Sequence, residues 1–82
     1  MDRMQRLQQE TELELNRLHA KHLQEWQKVR KEVELALELA TTTKEIRKIE
    51  KEYKQKFELL RNKQKEEYKK VQEDFTERLL SL

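Results

Sequence analysis

Apolar residues recur along this chain at gaps of three, four and four, and that spacing limits the fold more than any other feature. In the second half the stripe runs Ile46, Ile49, Tyr53, Phe57, Leu60, Gln64, Tyr68, Val71, Phe75, Leu79 and Leu82, with Gln64 its one polar member. In the first half it runs Met4, Leu7, Thr11, Leu15, Leu18, His22, Trp26, Val29, Val33, Leu37 and Ala40, in the same order of gaps. The unit is eleven residues, a hendecad. Eleven residues over three turns is about 3.67 per turn, so the stripe runs almost along the helix axis or drifts into a slight right-handed supercoil. A heptad does not describe it: four heptads past Ile46 stands Asp74, whereas the aromatic residue is Phe75.

Composition agrees with long helices. The 82 residues contain no Gly and no Pro, so neither usual source of a tight turn is present. Glu, Lys, Leu, Gln and Arg dominate, and these lose little rotamer freedom in a helix. With 34% hydrophobic residues and no Cys, the chain has neither a deep core nor disulfides to stabilise it, which leaves oligomerisation as the remedy. The absence of cysteine suits a reducing compartment. No apolar run approaches the roughly 20 residues of a membrane span, and there is no signal-peptide core. These features predict an intracellular chain that is a fragment of something larger.

The two stripes are out of phase. Continuing the first past Ala40 leads to Lys44 and Lys48, whereas the second begins at Ile46, about half a turn away. A single straight helix would carry its two seams on opposite sides. Thr41, Thr42 and Thr43 stand at the break, and consecutive β-branched residues are poor helix interior. Thr42 followed by Glu45 has the spacing of a capping box. The prediction is one module over 1–82: a helix over about 2–40, a turn at 41–42 and a helix over about 43–81.

Folding back at that turn pairs Leu37 with Ile49, Val33 with Tyr53, Val29 with Phe57, Trp26 with Leu60, Leu18 with Tyr68, Leu15 with Val71 and Leu7 with Leu79, each pair of numbers adding to 86. A 3-4-4 pattern is nearly symmetric on reversal, so the shared centre and the meeting of His22 with Gln64 carry the information. An imidazole–amide hydrogen bond there would satisfy both groups and fix the register. Two unbroken chains running antiparallel about an axis near Thr43 give the same pairing, as a domain-swapped relative; the phase jump favours the hairpin. The fold class expected is therefore all-α: a hendecad antiparallel coiled coil, built as a two-helix hairpin that assembles as a dimer.

A lone hairpin leaves Leu13, Leu35, Leu39 and Leu59 beside the main stripe, and residues 33–40 (VELALELA) are apolar around much of their circumference. A helix apolar on more than one face is normally buried on more than one face. These leucines are the expected dimer face, with a four-helix core as the outcome.

Chemistry is sparse. His19 and His22 stand three apart with Glu12 and Glu25 near in sequence, but Cys and clustered carboxylates are missing, so no metal or cofactor is expected. There is no nucleophile–base arrangement, phosphate-binding loop or dinucleotide fingerprint, and no small-molecule site is expected. The basic second helix permits phosphate contacts, yet Glu50–Lys54, Glu52–Lys56 and Glu66–Lys70 read as ordinary i, i+4 pairs on a solvated face. Membrane-surface binding needs a free amphipathic face, which the complementary register should consume.

A hendecad coiled coil with IRKIEKEYKQKFELLRNKQKEEYKKVQEDF as its second half resembles the second conserved motif of the Morpheus' Molecule family, over essentially the whole chain. These are large plant nuclear proteins, related to chromatin-remodelling helicases, that maintain transcriptional gene silencing. The resemblance implies a non-catalytic dimerising scaffold in the nucleus, with possible partners among related coiled coils of silencing co-factors. Two other readings stay open: a nucleic-acid-binding hairpin, and a segment of a cytoskeletal or trafficking rod.

Overall fold

The computed structural model describes residues 2–82. Two helices account for almost all of them: α1 over Arg3–Leu39 and α2 over Thr43–Leu80. Each is some 56 Å long at about 1.5 Å per residue, and they lie side by side in a rod measuring 62 × 18 × 8 Å. A compact chain of this length would have a radius of gyration of about 12 Å; here it is 18.8 Å.

Capping accounts for the ends. Asp2 accepts from the Gln5 N–H at 2.8 Å and opens α1. At the other end Ala40 is extended, with φ −74° and ψ 129°, and its N–H donates to the Leu37 carbonyl. Thr42 is extended as well, and its hydroxyl accepts from the Glu45 N–H at 3.2 Å to open α2. The Glu45 carboxylate reaches back one residue further than a capping box requires, to the Thr41 N–H at 2.8 Å. The chain therefore reverses through Ala40, Thr41 and Thr42, using extended backbone that β-branched residues favour. Glycine is not needed, since no described residue has a positive φ. Helix α2 stops at Leu80, where Ser81 caps it by donating its N–H to Glu77 and Arg78 carbonyls.

Where the two helices meet, the buried residues are Leu7, His22 and Val29 on α1 and Gln64 and Val71 on α2, all members of the 3-4-4 stripe. The other stripe residues are half-buried, except that Leu37 and Ile46 near the turn and Met4 and Leu82 at the far end are exposed. Among the described residues no side chain is fully enclosed. Four glutamates line the margins of the stripe, and each takes a cation from the opposite helix: Glu10 with Arg78 at 2.6 Å, Glu25 with Lys63 at 3.4 Å, Glu32 with Lys56 at 2.6 Å, and Glu67 with Lys21 at 2.9 Å. The numbers in all four pairs add to 88, so one antiparallel register holds from end to end.

These pairs correct the i, i+4 assignment of Lys56. It bridges to Glu32 across the seam rather than to Glu52, which lies 4.0 Å from Lys48 instead.

Candidate interaction site and polar layer

Halfway along the rod, α1 contributes His19, His22, Glu25 and Trp26, and α2 contributes Phe57, Gln64, Glu67 and Tyr68. Their spacing of three and four residues puts them on the inner faces of successive turns. His22 and Gln64 meet, but not through the expected imidazole–amide bond. The Gln64 amide oxygen accepts from Trp26 Nε1 at 2.8 Å, and its Nε2 donates to the His22 main-chain carbonyl at 3.4 Å. The indole N–H supplies a strong donor at the right height, and the amide takes it in preference to the ring. The His22 imidazole instead packs edge-on against Tyr68, with centroids 4.8 Å apart. Tyr68 Oη is hydrogen-bonded to His19 Nδ1 at 2.7 Å. Trp26 stacks on Phe57 at 5.3 Å, about one turn from its expected partner Leu60.

Beside this layer the seam is open. Trp26, Val33, Tyr53 and Phe57 line a groove edged by Glu50, Lys54, Glu58 and Arg61. A second groove follows Leu18 and Val71. Two helices cover most of the stripe, leaving Met4, Leu37, Ile46 and Leu82 exposed and the other members buried or half-buried. Leu13, Leu35, Leu39 and Leu59 are exposed, at 57, 58, 81 and 71%. Leu23 and Leu80 are equally uncovered; Leu23 was not singled out by the spacing.

Electrostatics at the margins follow from the cross-helix pairs. Arg78 and Arg6 hold the Glu10 carboxyl below its ordinary value, and Lys56 does the same for Glu32. Lys21 lowers Glu67, against the opposing effect of desolvation. The partner cations Lys21, Lys56 and Arg78 are raised in turn. Sequence spacing read α2's lysines as solvated; the cross-helix pairs were legible only once the register was known.

In class, this is a helical hairpin with an ordered polar layer and an incompletely covered apolar face. No protein family, curated protein or solved structure matches the chain. No helix among the described residues is long and apolar enough to cross a membrane.

Proposed function

We propose that the hairpin is a non-catalytic association module, and that a second copy covers its open face to make a four-helix, hendecad-based core. One observation carries this reading. The accessible surface is 7210 Å², against about 5,300 Å² for a folded monomer of this mass. The excess of about 1,900 Å² is more than twice the roughly 800 Å² that each partner buries in a standard specific interface, which leaves ample surface for one. It is also apolar, since among the described residues ten large hydrophobic side chains are exposed and three hydrophobic ones are buried. Exposed leucines in this number, together with the open groove at Trp26, Val33, Tyr53 and Phe57, support an association site. A second copy is the natural occupant because a hendecad stripe fits its own repeat in either antiparallel pairing.

The resemblance to the Morpheus' Molecule motif supports a narrower form of the same reading. In it, the module is a scaffold in transcriptional gene silencing in the nucleus, pairing with itself and with related coiled coils. Replacing Leu35 and Leu39 together by Lys should convert dimers to monomers that keep most of their helicity, read by sedimentation and circular dichroism. A dimer that survives both changes refutes the docking face. Raising salt from 50 to 500 mM should leave the dimer intact, because burial of leucines is insensitive to screening. Polyanion binding that collapses over the same range, without any dimer, would favour the nucleic-acid reading instead.

A further inference from the structure

We propose that His22, Glu25 and Glu67 form a site for one divalent transition-metal ion of the zinc class, set between the two helices. His22 and Glu25 are three residues apart on α1, which puts both on one face a turn apart; Glu67 comes across from α2. One ligand atom from each lies within 4.8 Å of the others. Around bound zinc, with bonds of about 2.0–2.1 Å, ligand atoms stand roughly 3.4 Å apart, so small side-chain rotations close the set.

Proximity of acidic groups alone would mean little. The imidazole is what points to a ligand. Its side chain is 5% exposed, and both ring nitrogens are buried without a hydrogen-bond partner. Glu25 Oε1 and Glu67 Oε1 are buried and unpartnered too. Buried polar atoms are almost always satisfied, and leaving them bare is costly. A proton shared between His22 Nε2 and Glu67 Oε2, 3.5 Å apart, would still leave Glu25 Oε1 bare. A cation with three coordination positions satisfies one atom from every residue. Imidazole and carboxylate donors without thiolate select zinc and its neighbours over calcium, which needs six to eight oxygens.

Lys63 and Lys21 hold the other oxygens of Glu25 and Glu67. Both lysine side chains are more than half exposed and can swing into solvent, so they act as competitors for the carboxylates. The filled site would tie α1 to α2 at mid-rod and stabilise the hairpin by linkage. It is independent of whether a second copy binds.

The test is calorimetric titration of the purified chain with zinc chloride, alongside thermal unfolding with and without the ion. One saturable site per chain and a higher Tm with zinc are expected. Glu67→Gln and His22→Leu should each weaken binding at least about tenfold, since outer-shell changes alone can do as much. Both should stay helical, as the leucine fills an apolar layer. Lys21→Met should tighten binding by roughly two- to fivefold, the strength of one exposed ion pair, and His19→Ala should leave it unchanged. Absence of saturable binding overturns the proposal. So does affinity that Glu67→Gln and His22→Leu leave intact, or that Lys21→Met fails to raise.

Discussion

The middle of the rod and its turn end are built on opposite principles. At mid-rod the buried residues are His22 and Gln64, both polar, enclosed by Trp26, Phe57 and Tyr68. At the turn end the chain is most apolar, through VELALELA and Ile46, yet Leu35, Leu37, Leu39 and Ile46 are all exposed. Polar groups inside and leucines outside reverse the usual distribution. The two departures have different physical meanings. A satisfied amide between Trp26 and a backbone carbonyl adds direction to the pairing and sets register. Bare leucines at the other end add nothing to a lone hairpin and become useful only when covered.

Substitutions can break this contrast, and the largest effect should come from the open groove. Phe57→Ala should cost about 3–5 kcal/mol in chemical denaturation if a second copy buries the ring; a loss under about 1 kcal/mol would mean that water reaches it. Next comes the polar layer. Trp26→Phe keeps the stacking surface but leaves the Gln64 amide oxygen without its donor, which should cost about 1–3 kcal/mol. A change within about 0.5 kcal/mol would show that the layer is solvated rather than enclosed. Thr42→Ala removes the cap at the turn and should lower stability by about 1 kcal/mol, measured as a shift in urea midpoint. An unchanged midpoint would mean that the threonine turn is passive.

The smallest effect should be that of pH, acting through the margins. Glu10 and Glu32 have folded pKa values below their ordinary 4.5, so the folded state binds their protons less readily than the unfolded chain. Their contribution is present above pH 4.5 and is lost as pH falls through the lower folded values. Acid titration should show stability declining below about pH 4.5, less steeply in Glu10→Gln. Insensitivity of the wild-type chain over that range would show the cross-helix pairs to be inert.

Much of the fold is legible in the residues because the 3-4-4 spacing, the phase break and the Thr42–Glu45 pair are local features. Helix ends fall within a residue or so of the predicted ones, and Thr42 caps α2 through the hydroxyl that its spacing suggested. The side-chain partners were less accessible. That Trp26 would take the Gln64 oxygen from His22 depends on the height of the indole N–H, which numbering does not encode. Glu67 joins His22 and Glu25 only through the antiparallel register. That register was already implicit in the numbers: Glu67 lies one turn past Gln64, on the face opposite His22. The cross-helix ion pairs follow from the same register, and were obscured by equally well-spaced i, i+4 candidates within α2.

An interface between copies at the uncovered apolar face is tested most directly by sedimentation equilibrium of the unmodified chain. It predicts a mass of twice 10.2 kDa from low micromolar concentration upward, with high helicity and no dependence on salt. A chain that stays fully helical at 10.2 kDa into the high micromolar range would contradict it.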